Sequence, residues 1–387
     1  MRPECFYILA GETSADLLGA RLMSALQRDK KEPIDWIGIG GEQMENQGLK
    51  SNLPISRLSV IGILDAFASY SSLLGIAKEQ VKQIMLMRPK AIFTVDTKFF
   101  SLKLAMLLRK EMDKARWHVP IIQLVAPTVW AWGKWRAKKF EKAFDQILCL
   151  FPFEPSYFDI KKTNAVFVGH PFAFKQTRIE GNKEVDNGQQ YQRLIGLFPG
   201  SRRGEIISNL PDILRAAELF NKQFPDCQFI LPTTSNLEKE VRKKMESCEL
   251  EVQIAVGANA FDNCLLKISA AISVSGTATL QLALHAIPAV TCYKTKALNF
   301  MLMKLLFKQK DPILPNILLE REVYPCFLQS KQTPEILSST LIEIYENISL
   351  HRNILRKRSK ELRNMLIVQG DDFETTLAKT IKVSDPV

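Results

Sequence analysis

The chain has 387 residues, 46% hydrophobic and 24% charged, with a formal net charge of +11. That length suits two domains rather than one, and the composition excludes global disorder. The seven cysteines (Cys5, Cys149, Cys227, Cys248, Cys264, Cys292 and Cys326) are scattered without a CxxC pair, which argues for reduced thiols and against a zinc site or disulfide framework.

Strand-like apolar runs alternate with helical stretches, as a parallel α/β architecture requires. "CFYILA" (5–10) ends at "GETSAD", and the helical "LLGARLMSALQRDK" follows. No secretory leader is expected there, because the apolar run is short and enters a glycine turn at once. "DWIGIGG" (35–41) ends at Gly40-Gly41, "AIFTVD" (91–96) in an acid, "IIQLVAP" (121–127) in a proline, and "QILCLFPF" (146–153) in a proline turn. This is one doubly wound unit, with its turns at the carboxyl ends of strands, where such sheets bind ligands.

The polar, aperiodic "KQTRIEGNKEVDNGQQYQ" (175–192) reads as a linker. A second set of strands then starts: "RLIGLFPG", "CQFILPTT" (227–234), "VQIAVG" (252–257), "AAISVSG" (270–276) and "PAVTCY" (288–293). Two Rossmann-like halves fit a dehydrogenase or a two-domain glycosyltransferase. No GxGxxG fingerprint follows any strand, which lowers the nicotinamide option.

Two stretches carry apolar or basic surplus. "LSVIGILDAFASYSSLLGIA" (58–77) is about one bilayer long, but Asp65 and four serines make it a lipid-contacting or buried helix rather than a membrane span. "YKTKALNFMLMKLLFKQK" (293–310) mixes lysines with large apolar residues, as a helix lying on an anionic membrane does. The basic runs 133–142 and 351–363 read first as solvated helix faces, and no nucleic-acid motif accompanies any of them.

The chemistry concentrates at two turns. "LFPGSRRGE" (197–205) leads a strand into a helix with free amides and two guanidinium groups; "SVSGTATLQ" (273–281) does so with hydroxyls flanking Gly276. A helix N-terminus with arginine forks beside it favours an anion. Two such turns in one domain suit the two phosphates of a nucleotide diphosphate, although each alone is also an ordinary strand-to-helix turn.

"GETSAD" (11–16), "IGIGGEQM" (37–44), "LSVIGILD" (58–65), "APTVWAWGKWR" (126–136), "FPFE" (151–154), "VGHP" (168–171), "LFPGSRRGE" (197–205), "SGTATLQ" (275–281) and "LPNILLERE" (314–322) occur in this order. Together they resemble the lipid-A-disaccharide synthase family over residues 5 to about 330. The resemblance implies a GT-B fold, with two Rossmann-like doubly wound domains facing a central cleft, and needs neither metal nor cofactor. The expected domains are an acceptor-side domain 1–174, the linker 175–192, a UDP-sugar domain 193–335, and C-terminal helices 336–387 that cross back to the first domain. It implies transfer from UDP-2,3-diacylglucosamine to 2,3-diacylglucosamine 1-phosphate, giving a β-1,6 disaccharide and UDP. The expected setting is cytoplasmic, peripheral on the anionic inner membrane of a Gram-negative bacterium, with no nucleic-acid partner; a homodimer is compatible with it.

By that resemblance Ser201, Arg202, Glu205, Ser275, Gly276, Thr277, Ala278 and Gln281 fall on the nucleotide-sugar side, with Asn316 lining the cleft. Gly11, Ser14 and Asp16 face the acceptor, although Asp16 also fits a helix-start partner. Asp96 and Glu12 are the candidate proton acceptors. His170 reads as structural. The Trp130/Trp132 pair reads as a hydrophobic wall, with stacking on sugar or acyl chains as the alternative.

The chain departs from the family at acids. In the pattern Asp-x-Pro-Asp-Phe-Asn the second Asp is the favoured base, and Phe99 stands in its place; Phe174 and Cys326 also replace acids, and Gln281 replaces a Glu. The expectation is therefore a slow synthase, or a weakened paralogue that binds UDP-sugar with little turnover. A sugar-nucleotide epimerase and a lipid-surface protein without nucleotide are the more distant rivals.

Overall fold

The computed structural model describes residues 4–28, 30, 32–58, 70–131, 133–174, 193–246, 248–257, 259–296, 300–301 and 312–383. The chain divides into two compact units, Met1–Phe174 with Leu366–Val387, and Lys175–Met365. The linker reading (175–192), most of the basic apolar run (297–299 and 302–310), residues 59–69 of the apolar stretch and Trp132 lie outside the described residues.

The first unit is built on seven parallel strands: β1 (Cys5–Ala10), β2 (Asp35–Ile39), β3 (Leu49–Ser51), β4 (Ala91–Val95), β5 (Ile121–Leu124), β6 (Gln146–Cys149) and β7 (Asn164–Phe167). Their order is β3-β2-β1-β4-β5-β6-β7. Along β1, Phe6, Ile8 and Ala10 enter one core and Tyr7 and Leu9 the other. Alternation with both sides apolar is what a strand covered on both faces needs.

One face is covered by α1 (Thr13–Gln27) and α13 (Phe373–Thr380), through Leu22, Met23, Phe373 and Leu377. The other carries α3 (Tyr70–Met87), α4 (Lys98–Ala115) and α5 (Ala137–Ala143), through Val81, Leu104, Leu108 and Phe140. The short α2 (Glu42–Glu45) follows β2.

The second unit has six parallel strands: β8 (Leu194–Phe198), β9 (Gln228–Thr233), β10 (Val252–Val256), β11 (Ala270–Val274), β12 (Ala289–Tyr293) and β13 (Cys326–Leu328), in the order β10-β9-β8-β11-β12-β13. Its helices are α6 (Arg203–Gln223), α7 (Glu238–Met245), α8 (Ala260–Leu265), α9 (Thr277–Leu284), α10 (Leu314–Leu319), α11 (Pro334–Glu346) and α12 (Ile348–Leu366). Leu210, Ile213 and Phe220 of α6 share a core with Leu337 and Leu341 of α11.

Two corrections follow. The segment that joins the first unit starts at Leu366, not at 336, because α11 and almost all of α12 stay with the second unit. Nor is 351–363 simply a solvated face: Arg352 is buried and donates to the carbonyls of Ile268 and Ser269, and Ser359 donates to that of Leu284.

Both sheets follow the same doubly wound order, so each reverses direction once. The reversal falls between β1 and β4 in the first unit and between β8 and β11 in the second. A ligand crevice lies beyond the strand ends at such a reversal.

Candidate active site

At the first reversal the turns after β1 and β4 touch. Gly11 allows this: a Cβ there would lie 2.6 Å from the side chain of Thr97. Asp96 (φ 51°) and Thr97 (φ 27°) both adopt left-handed backbone, which L-residues avoid unless their surroundings hold them there. The holder is Gln123 on β5, fully buried, whose Nε2 donates to the Asp96 carbonyl at 2.9 Å while its Oε1 accepts from Thr94 Oγ1 at 2.6 Å. Asp96 N in turn donates to the Leu124 carbonyl.

The Asp96 carboxylate is thereby presented at the strand ends, partly exposed, with Lys98 Nζ 3.5 Å away. Glu12 and Ser14 are exposed at the start of α1, in the turn that abuts Thr97. Gly11, Glu12, Ser14 and Asp96 thus gather at one strand edge. Phe99 is on the first turn of α4 and 74% exposed.

Asp16 takes a different place from the acceptor-side one expected. It is buried, and its carboxylate accepts from the backbone amides of Gly41 (2.8 Å), Gln43 (3.0 Å) and Met44 (3.1 Å). It caps α2 from a distance and fixes the Gly40-Gly41 turn, so it shapes the site without facing it. We expect Asp16→Ala to cost about 2–3 kcal/mol, since three amides lose a charged acceptor. Thermal unfolding is the check; an unchanged midpoint would remove this role.

A second carboxylate, Glu154, ties two loops together. Its Oε1 accepts from Trp130 Nε1 at 3.3 Å, and its Oε2 accepts from the amides of Leu150 and Phe151, each at 3.1 Å. Trp130 also meets Phe153 edge-on. Burial pushes the Glu154 carboxyl up from 4.5 to about 7, against the opposing pull of its amide donors and of Lys98.

The linked stability change has a definite sign. Between pH 4.5 and 7 the unfolded chain releases a proton that the folded chain keeps, so stability falls as pH rises across that window. The full effect is about 3 kcal/mol. Glu154→Gln keeps the shape and removes the titration, so unfolding at pH 5 and pH 8 should differ less for the variant than for the parent. Equal differences would contradict this role.

His170 is buried between the rings of Phe151 and Phe172, and its Nδ1 accepts from Phe172 N at 3.3 Å. Burial and the nearby Arg21 cation hold its pKa down to about 3, so it is neutral at physiological pH and structural in role.

At the second reversal β8 and β11 are hydrogen-bonded neighbours, so the Gly200-Ser201-Arg202 and Ser275-Gly276-Thr277 turns open side by side. Gly200 has φ 109°, and a Cβ there would lie 2.4 Å from Glu205 Oε2. Glu205 folds back over the turn: Oε2 accepts from Ser201 N (3.0 Å) and Arg202 N (3.3 Å), and Oε1 from Arg202 Nη1 (3.4 Å). The amides that suit an anion already hold a carboxylate.

Arg202 is otherwise exposed, and Arg203 is held by Glu240 at 3.0 Å. Ser275 and Ala278 are half-buried and Thr277 exposed at the start of α9; Gln281 lies one turn further along, at the i+4 position from Thr277. Tyr293, at the end of β12, feels both Glu205 and Arg202 electrostatically, and its phenol is raised chiefly by burial.

Asn316 corrects a second expectation. It is buried and closes its own loop, donating to the Tyr324 carbonyl (2.9 Å) and accepting from Val323 N (2.8 Å) and Tyr324 N (3.0 Å). Sequence reasoning missed Gln123, Lys98 and Tyr293. The single amide inside the apolar "IIQLVAP" was the one available signal.

Comparison with known proteins distinguishes among the rivals. A family model described as lipid-A-disaccharide synthetase matches residues 6–382. The lipid-A-disaccharide synthase of Chromobacterium violaceum is 33% identical over 382 residues, covering 97% of this chain and 95% of its own. That of Rhodospirillum centenum is 32% identical over 348 residues, covering 87% and 84%.

Among solved structures, the UDP-GlcNAc 2-epimerase of Neisseria meningitidis bound to UDP-GlcNAc is similar with TM-score 0.59 at 9% identity, covering 97% of each chain. MurG of Acinetobacter baumannii is similar with TM-score 0.54 at 11% identity, covering 98% of this chain and 99% of its own. At that identity they speak for the fold alone, which is GT-B, and an epimerase and a transferase share it equally. The family match decides between them over nearly the whole chain, and the motifs that it spans are those that furnish both strand-end turns. The chain belongs to the lipid-A-disaccharide synthetase family, glycosyltransferases of lipid A biosynthesis.

Proposed function

We propose that the chain joins UDP-2,3-diacylglucosamine to 2,3-diacylglucosamine 1-phosphate and releases UDP. The observation that carries this is the pair of adjacent helix starts at the β8/β11 reversal, with Arg202 beside them. The diphosphate is received by the amides of Ser201 and Arg202 once Glu205 turns away, and by Ser275, Gly276 and Thr277 with Ala278. Gln281 accepts from the ribose. As the acceptor 6-hydroxyl oxygen bonds to the donor anomeric carbon, the bond from that carbon to the diphosphate breaks and its electron pair leaves with UDP. Arginine and helix-end amides stabilise that charge, so no metal is required in this reading.

Asp96 takes the proton of the 6-hydroxyl, with Glu12 as the nearby alternative, and Gly11 and Ser14 border the acceptor. The site lies in the cytoplasm, with the protein held peripherally at an anionic inner-membrane surface; among the described residues no helix is long and apolar enough to cross a membrane. The weakened reading also has a specific support: an exposed Phe99 in place of the family acid, and Lys98 paired with the acid that remains. Mass spectrometry of the purified protein with both acylated sugars is the test. A disaccharide 1-phosphate formed slowly is expected; its absence at every enzyme concentration, with UDP still bound, would leave only the binding paralogue.

A further inference from the structure

The basic run 133–142 does not enter the site chemistry, and in the fold it is one side of a larger surface. A 3-10 turn at Lys134–Arg136 leads into α5, which packs beside α4: Phe140 shares a core with Leu104 and Leu108, and Arg109 Nε donates to the Ala143 carbonyl at 3.2 Å. With their inner faces on the same side of the sheet, the two helices turn their outer faces to solvent together.

Those outer faces carry large apolar side chains that none of the described residues of the unit buries. Phe99 and Met106, seven residues apart and so on one side of α4, are 74% and 50% exposed, and Trp135 is 62% exposed. The charge around them is predominantly positive: the acids near the face are Glu111 and Asp113 at the far end of α4, and Asp96 and Asp145, which pair with Lys98 and Arg109. Residues 98–110 contain no acid, and the exposed charged residues of 133–142 are Lys134, Lys138, Lys139 and Lys142. Glu141, the one acid among the latter, is buried and accepts from Asp159 N at 3.0 Å. Lys139 Nζ lies 5.2 Å from the Trp135 ring, so cation and aromatic form one unit.

We infer that this α4/α5 face is the surface by which the protein docks on an anionic lipid bilayer. Exposed Trp and Phe among lysines match the boundary between headgroups and acyl chains, where ring and methylene groups bury while ammonium groups meet lipid phosphates. A nucleic acid would take the lysines but not an uncovered methionine. Phe99 and Trp135 lie at the ends of α4 and α5 nearest the carboxyl edge of the sheet, where Asp96 is presented, so acylated sugars would leave the bilayer next to the acceptor site. The inference rests on the peripheral reading above and names its surface.

Flotation of the purified full chain with vesicles tests it, using phosphatidylcholine alone and phosphatidylcholine with about one-third phosphatidylglycerol. The parent should float with the anionic vesicles and be released by salt. Lys138→Gln with Lys139→Gln should lower partition roughly 25-fold, about fivefold per lysine. Trp135→Ser with Met106→Ser should lower it at least about tenfold. UDP affinity, unchanged in both pairs, serves as the folding control. Parent-like flotation of both pairs would overturn the inference while leaving the peripheral reading standing; no flotation of the parent would overturn both. Equal flotation with the two vesicle types would overturn the charge argument and with it the proposal. UDP release from detergent-dispersed sugars reports on the transfer reading independently of any of these outcomes.

Discussion

Asp96→Asn is expected to lower turnover about 10²–10⁴-fold while leaving UDP affinity and thermal stability near those of the parent. Gln123, buried on β5, holds the Asp96 carbonyl, and Asp96 and Thr97 pass through left-handed conformations that point the carboxylate beyond the strand end. An asparagine fits the same backbone but accepts no proton, so only chemistry should suffer. Phe99→Asp is the companion experiment: it restores an acid on the exposed first turn of α4 and should raise the parent's rate if a missing base limits it. A normal rate for Asp96→Asn would transfer the role to Glu12, across the same turn.

Arg202→Ala should weaken UDP binding roughly 10- to 150-fold, the equivalent of about 1.5–3 kcal/mol for a charge-assisted bond to phosphate. Two effects act in the same direction. The guanidinium is lost, and the carboxylate of Glu205, seated on the Ser201 and Arg202 amides, loses its partner Nη1 and opposes the incoming phosphates unrelieved. The Arg202 side chain is largely exposed, so the unfolding midpoint should hold. Calorimetric titration with UDP measures the change, and an unaltered affinity would remove this turn from the nucleotide site.

Much of this organisation was legible in the residues. Strands such as β1, β4 and β11 are nearly continuous apolar runs closed by glycine or polar turns, because a strand covered on both faces has no other composition. β3 and β13, three residues each, and β7, with four, escaped notice for the converse reason: short edge strands such as Leu49–Ser51, with Lys50 exposed, carry too few apolar positions to show a period.

The turns at both sheet reversals were visible as motifs, but what the polar side chains of neighbouring motifs touch was not. Asp16 finds its donors 25 to 28 residues away and Asn316 finds its own 7 to 8 away, both inside the fold, so the two acquire loop-holding roles that no local spacing announces. Glu154 lies within "FPFE", yet its bond to Trp130 exists only because β5 and β6 are neighbours. The same holds for Arg352, a member of a basic run by sequence and a buried donor to two carbonyls in the structure.

The central claim is transfer from a UDP-sugar to an acylated sugar phosphate, and UDP release measures it most directly. Purified protein with both acylated sugars should release UDP slowly and continuously, with one disaccharide 1-phosphate formed per UDP, and with no release when either sugar is omitted. UDP release that proceeds without the acceptor, or UDP that binds but is never released from the donor in the presence of both, would contradict it.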